Sequence, residues 1–230
     1  MVLFFKIVLW VHIVAGAVAL SVFWLPLVTR KGGTTHRRAG WVYVVAAAAI
    51  ALTGFVNCAR MLTDGNPRND RAGLFLAYVG VLAAASAQIG VRALRTKGRS
   101  SGARNPFDLA PPALLVAGGL AVGVLGVRVA MPLFVVFATL GITVGVTQLR
   151  FWLRAPVTRK EWFYAHMGGM GTSCITTLTA LLVVNAHRLG LGTFDLVVWT
   201  APGLVGGLGL AFWRRYYQKR FSGLRVTSAE

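Results

Sequence analysis

Long apolar runs separated by short basic segments constrain this chain more than any other feature of its sequence. A helix needs about 20 apolar residues to cross the hydrocarbon core of a bilayer. Backbone amides find no water in that core, so they pair within the helix. We therefore predict an all-α fold, a polytopic transmembrane helical bundle with seven spans. The predicted spans are 2–28, 41–62, 72–94, 109–130, 132–150, 160–187 and 194–214.

The spans predict a single seven-helix transmembrane domain over residues 1–214 and a basic cytosolic tail over 215–230. The first apolar run is too long for the core of a signal peptide, and its basic cluster follows the run, so we expect a retained span. Pro111 and Pro112 suit the first turn of the fourth span. The residues from Thr158 to Glu161 have the spacing of a capping box at the start of the sixth.

The basic residues lie unequally on the two sides of the predicted bundle. Of the 24 lysines and arginines, 18 lie on one side and 6 on the other, and the bias alternates from loop to loop. The positive-inside rule then predicts an N-terminus outside and a C-terminus in the cytosol. We expect the net charge of +18 to face anionic lipid at the cytosolic face, and not nucleic acid.

The carboxylates avoid the predicted membrane interior. Asp108, Glu161 and Asp195 each fall near the first turn of a span, where the helix dipole favours negative charge. This placement counts against a transporter built on intramembrane carboxylates. Cys58 and Cys174 have neither metal-ligand spacing nor a disulfide framework, and we interpret them as small apolar fillers.

Histidines are the strongest candidates for chemistry. His12 and His166 lie within spans beside small residues, His36 lies at the inner mouth of the second span, and His187 at the outer end of the sixth. We expect His12 and His166, with His36 as a third candidate, to bind a cofactor, foremost haem b, which needs facing imidazoles and small neighbours. A metal ion in place of haem is the alternative at the same histidines, and no separate set of metal ligands is predicted.

Two alternatives to this cofactor site stay open. The helical rise places His12 and His166 about 8 Å apart in depth, whereas pairing by depth joins His36 with His166 and His12 with His187. Each histidine could instead form a hydrogen bond to a neighbouring helix or a headgroup.

Neutral polar side chains support a different function. They would line the path of a small-solute transporter or carrier, which is the main alternative to electron transfer through a bound cofactor. A third hypothesis is a non-catalytic accessory or sensory protein whose soluble partner the sequence does not identify. No enzyme motif such as HExxH or a Walker loop is present, so the sequence assigns no enzymatic activity. The polar residues are Asn57, Gln88, Gln148, Ser173, Thr177 and Asn185.

Two motifs carry a resemblance to a known family. The first is His12-xxx-Gly16 with Arg30-Lys31-Gly32-xxx-His36-Arg37, and the second is His166-Met167-Gly168-Gly169-Met170 with Thr179-Ala180-xx-Val183-Val184-Asn185. Together they resemble an uncharacterised family of bacterial multi-pass membrane proteins. The resemblance implies a bacterial cytoplasmic (inner) membrane location and marks His12, His36, His166 and Asn185 as family positions. It implies no activity.

Overall fold

The computed structural model describes residues 2–102 and 105–226, and its regular structure there is entirely helical. Within this part of the chain seven spans are long and apolar enough to cross a membrane: α1 and α2 together form the first, and α3 to α8 form one each. The predicted all-α, seven-span bundle is therefore confirmed. The helices are α1 (Val2–Val22), α2 (Leu25–Val28), α3 (Thr34–Met61), α4 (Pro67–Arg95), α5 (Pro106–Arg128), α6 (Pro132–Leu153), α7 (Glu161–Val184) and α8 (Leu196–Val226).

Asparagine caps move two helix starts ahead of the predicted ones. The side chain of Asn105 accepts a hydrogen bond from the amide of Phe107 (2.9 Å), so α5 begins at Pro106. Pro111 and Pro112 consequently lie inside the helix, and the prediction that they form its first turn is wrong. Asn66 caps α4 in the same way. A side-chain oxygen at this position satisfies amides that the helix leaves unpaired.

Two further helix ends differ from prediction. The capping box at Thr158 does not form, because the Glu161 carboxylate accepts from the amide of Val157 (3.2 Å) and from the guanidinium of Arg154. Helix α8 continues past residue 214 to Val226, so the predicted tail begins as helix. Residues 227–230 of that tail lie outside the described residues.

Aromatic rings and glycines hold the bundle together. The rings of Phe75 and Phe134 stack at 4.5 Å, and Trp199 of α8 lies edge-on to Phe75 at 5.1 Å. On α5 and α6, a Cβ added to Gly119 or Gly145 would lie under 3 Å from the facing helix, so these GxxxG glycines pack within the chain. In contrast, Gly203 and Gly207 of α8 face open space in the described chain.

The loops at 29–33, 96–102 and 154–160 lie at one end of the bundle, which we call the basic end. There Arg92 of α4 holds Asp108 of α5 through two hydrogen bonds of 2.7 Å each. Asp108 is only 1% exposed, so the arginine balances a charge that is buried in protein. Gln88 adds a hydrogen bond to the carbonyl of Phe107 (3.0 Å) and closes the same helix pair.

Candidate functional site

Two histidines from different spans meet near the basic end. The imidazole of His36, in the first turns of α3, lies 6.2 Å from that of His166 on α7, measured between ring centroids, with the planes inclined by 64°. Both side chains are half-buried. His36 reaches this position because α3 begins at Thr34, seven residues before the predicted start of the second span. We call these residues the histidine pair.

Each member of the histidine pair bonds to a backbone carbonyl through Nδ1. His166 contacts the carbonyl of Gly90 on α4 at 2.8 Å, and His36 contacts the carbonyl of Pro26 on α2 at 3.1 Å. A carbonyl only accepts, so the hydrogen bonds assign the proton to Nδ1 in both rings. In the neutral form of each ring, Nε2 then carries the lone pair. A backbone carbonyl behind the imidazole is also the usual partner of a metal-binding histidine.

The short helix α2 supplies one of these carbonyls. After only four residues the helix ends, so its carbonyl groups lack helical partners and accept from side chains. The ammonium of Lys31 donates to the carbonyls of Pro26 (2.8 Å) and Leu27 (2.6 Å). Burial lowers the pKa of this ammonium from its usual value. Lys31 and Lys97 both lie close enough to His166 to interact with it electrostatically.

A cluster of hydroxyl groups continues the same face of α7 away from the basic end. Tyr43 of α3 is 1% exposed, and its hydroxyl lies 2.8 Å from Ser173 Oγ and 3.0 Å from Thr177 Oγ1. Cys174 is buried beside them. Tyr43 follows His36 by seven residues and Ser173 follows His166 by seven, two helical turns in each case. The histidine pair and the hydroxyl cluster therefore lie along one seam between α3 and α7.

The other two histidines lie elsewhere. His12 of α1 contacts Thr53 Oγ1 of α3 through Nδ1 at 2.9 Å. Because Thr53 gives its own proton to the carbonyl of Ala49 (2.6 Å), His12 is the donor of this bond. His187 is exposed in a 3-10 turn beyond α7. The structure thus places His166 beside His36, and His12 forms the interhelical hydrogen bond that was the alternative to cofactor binding.

The structure places the six predicted polar-interior residues in several different parts of the bundle. Ser173 and Thr177 join Tyr43 in the hydroxyl cluster. Asn57 lies near the far end of α3, and Asn185 donates to the carbonyl of Leu181 on its own helix (2.8 Å). The remaining two are Gln88, which closes the pair α4 and α5, and Gln148, which is buried on α6. The structure does not gather all six into one path.

Haem b does not fit between α4 and α7 beside His166. A Cβ added to Gly169 would lie 2.6 Å from the carbonyl oxygen of Ser86 and 2.8 Å from the amide nitrogen of Gly90. The two helix backbones are therefore in direct contact, one turn from His166, and leave no slot for a macrocycle there. A single ion between the imidazoles needs no such slot.

Sequence reasoning did not single out Tyr43 as a candidate site residue. The signal was its spacing: residues i and i+7 share a helical face, so a buried His36 implies a buried Tyr43. The other half of the seam was visible as the polar series of His166, Ser173 and Thr177. What the spacing could not give was the rotation of α3 that turns these two faces towards each other.

Comparison of this sequence with protein-family models gives no match, and comparisons with the curated proteins and with the solved structures give none either. The assignment of a function therefore depends on the geometry of the histidine pair and the hydroxyl cluster.

Proposed function

We propose that this membrane protein binds a transition-metal ion between His36 and His166 and uses it in electron transfer. The observation that carries the proposal is the 6.2 Å separation of the two imidazole centroids. With metal–nitrogen bonds of about 2.0–2.1 Å, two imidazoles that share one ion have centroids roughly 5–6.5 Å apart. Histidine from neighbouring helices of a bundle is a common ligand for such ions.

The tautomers support the same proposal. With Nδ1–H of each ring held by the carbonyl of Pro26 or Gly90, the neutral form of each imidazole offers the lone pair of Nε2 to a metal. Neutral imidazole is the form that binds metal, and an ionisable residue within a span is a candidate functional residue by default. The nearby lysines oppose a bare divalent cation, so we expect at least one anionic ligand, such as hydroxide, on the ion.

The ligand set implies an open coordination sphere. Among the described residues no group of three or more histidine, cysteine or carboxylate side chains is placed to hold a metal. Two protein ligands leave positions for water or for an exchanging partner, which is typical of reactive sites and not of structural ones. An ion held in this way could change its ligands or its charge during a reaction.

A carrier of small solutes is the second candidate, and the hydroxyl cluster favours it. Tyr43, Ser173 and Thr177 extend the seam from the histidine pair towards the middle of the bundle. Hydroxyl oxygens can replace part of a hydration shell, so this seam could form a path for an ion or a neutral solute. A carrier would transport the metal ion across the membrane of vesicles that contain the protein, whereas an electron-transfer protein would keep the ion bound.

Metal analysis and an absorption spectrum of the detergent-purified protein test the metal site. We expect about one equivalent of a transition metal in the unaltered protein after incubation with Zn²⁺ or Cu²⁺. His36→Ala and His166→Ala should each lose it, because one remaining imidazole binds far more weakly than two. His187→Ala is the matched control, since this exposed histidine lies outside the site, and it should retain the metal.

The same samples decide between the alternatives. A Soret band that disappears in His166→Ala would show haem at His166 and overturn the site for a single ion. Metal that is absent from the unaltered protein, or that stays in both single variants, would overturn the metal site and leave a carrier of neutral solutes or an accessory or sensory role.

We also propose that the protein lies in the bacterial cytoplasmic (inner) membrane with its N-terminus outside and its basic end in the cytosol. The seven apolar helices support a multi-pass membrane location. The excess of lysine and arginine at the basic end supports this orientation, and anionic lipid headgroups would then be its partners. The resemblance to bacterial membrane proteins agrees with this location.

A further inference from the structure

A cleft at the basic end is distinct from the histidine pair. It lies between the segment 96–100, which follows α4, and the segment 156–162, which leads into α7, and its volume is about 520 Å³. Among the described residues, three cationic side chains line it, Lys97, Arg99 and Arg159, together with one carboxylate, that of Glu161. The lining therefore carries an excess of positive charge.

Glu161 balances only part of this charge, because it is one carboxylate among several cations and both of its oxygens already accept hydrogen bonds. Oε1 accepts from Arg154, and Oε2 accepts from the amide of Val157 at 3.2 Å. Arg99 Nη2 remains 3.8 Å from Oε2, which is beyond hydrogen-bond distance. With Arg154 counted, four cations surround one carboxylate.

Arg99 is the most constrained of these cations. Its side chain is only 10% exposed, and its guanidinium lies over the rings of Phe151 (4.1 Å) and Trp152 (5.6 Å). Nη1 donates to the carbonyl of Trp152 at 3.4 Å, but Nη2 is buried and has no hydrogen-bond partner among the described residues. Burial lowers the pKa of this guanidinium, and the opposing effect of Glu161 does not restore it. A buried donor without an acceptor costs free energy that an anion would recover.

From this arrangement we infer that the cleft binds the phosphate group of an organic phosphate, with Arg99, Lys97 and Arg159 as its cationic partners. Guanidinium groups match phosphate oxygens in geometry and charge. The volume lies within the roughly 300–1,000 Å³ of small-molecule sites, so the cleft has room for the organic group as well. Trp162, under the ammonium of Lys97 at 4.4 Å, gives that group an apolar wall. The phosphate comes either from a lipid headgroup or from a soluble metabolite.

Two binding measurements on the full chain distinguish these sources. In the first, glycerol 3-phosphate and inorganic phosphate are titrated into protein in neutral detergent at constant ionic strength. In the second, native mass spectrometry counts phosphatidylglycerol and phosphatidylcholine molecules that stay on the protein. We expect saturable binding in at least one measurement, and phosphatidylglycerol should exceed phosphatidylcholine because the cleft repels the choline cation.

The variants locate the binding. Lys97→Gln combined with Arg159→Gln should weaken it about tenfold or more, since two charge-assisted contacts are lost. Arg99→Gln should do the same, and the double variant keeps the test valid if Arg99→Gln fails to fold. Arg95→Gln is the matched control: it removes one exposed positive charge from the end of α4, outside the cleft, and should change affinity less than twofold.

Each outcome has one meaning. Variant-sensitive binding of the soluble phosphates supports a metabolite, and variant-sensitive retention of phosphatidylglycerol alone supports a lipid headgroup. The inference is overturned if neither probe binds, or if Arg95→Gln weakens binding as much as the cleft variants do.

Discussion

At the residue scale, substitution of two neighbouring glycines distinguishes the effect of helix packing on stability from the effect of helix propensity. Gly169 lies on the side of α7 that contacts α4, where an added Cβ would meet backbone atoms of Ser86 and Gly90 at 2.6 and 2.8 Å. Gly168 is the preceding residue of the same helix, and an added Cβ there has nothing within 4 Å. The two positions share their helix and depth but not their surroundings.

Gly169→Ala should destabilise the protein by about 1–3 kcal/mol, because α7 must move away from the backbone of α4. Gly168→Ala should be neutral or stabilising by up to about 1 kcal/mol, since alanine is the better helix former. Thermal unfolding in detergent measures both. Equal stability of the two variants would show that α4 and α7 are not in backbone contact.

The movement of α7 away from α4 in Gly169→Ala should also change the geometry of the histidine pair. The carbonyl that holds His166 belongs to Gly90, the residue whose amide an alanine at 169 would press upon. Metal binding should therefore weaken in Gly169→Ala and persist in Gly168→Ala. A single methyl group at position 169 thus affects both the packing of the bundle and the orientation of a proposed ligand.

At the element scale, the number and order of the spans followed from hydropathy because each helix must satisfy its own backbone in oil. Helix ends followed less well. Hydropathy placed the start of the second span at residue 41, yet α3 begins at Thr34, since the helix continues through a polar segment that includes His36. For α5 the cap at Asn105 decided the start, and not the later proline pair.

The sequence could not show which helices pack against each other, and this packing decides which histidines meet. The sequence left the pairing of His36 with His166 open as an alternative, and only their similar predicted depth in the membrane supported it. The preference for His12 with His166 used small neighbours as a sign of a cofactor. In the structure two of those small neighbours, Ala15 and Ala19, are buried and serve packing, whereas a Cβ added to the third, Gly16, would meet nothing within 4 Å.

At the scale of the whole molecule, the distribution of charge makes a prediction about orientation. A reporter fused after Glu230 that is active only in the cytosol should be active, because the basic end carries most of the lysines and arginines. A fusion in the loop 62–66, at the opposite end of α3, should be inactive. The reverse pattern would place the histidine pair and the phosphate cleft on the outer side.

The contacts of the histidine pair come from several different elements of the bundle. Four elements converge there: α2 gives a carbonyl to His36, α4 gives one to His166, and α3 and α7 carry the two rings. If the first three spans or the sixth packed in another order, at least one of these three contacts would be lost. The pair is therefore a sensitive reporter of the tertiary structure.

The most direct test is a cross-link between positions 36 and 166 in membranes. In a chain with Cys58→Ala and Cys174→Ala, His36→Cys and His166→Cys are combined, and a protease site in the loop 96–102 separates the two halves on a gel. A short bifunctional thiol reagent should join them, because the native rings lie 6.2 Å apart. The combination of His12→Cys with His166→Cys should stay unlinked. A cross-link from 12 to 166, with none from 36 to 166, would contradict both the packing of the spans and the proposed metal site.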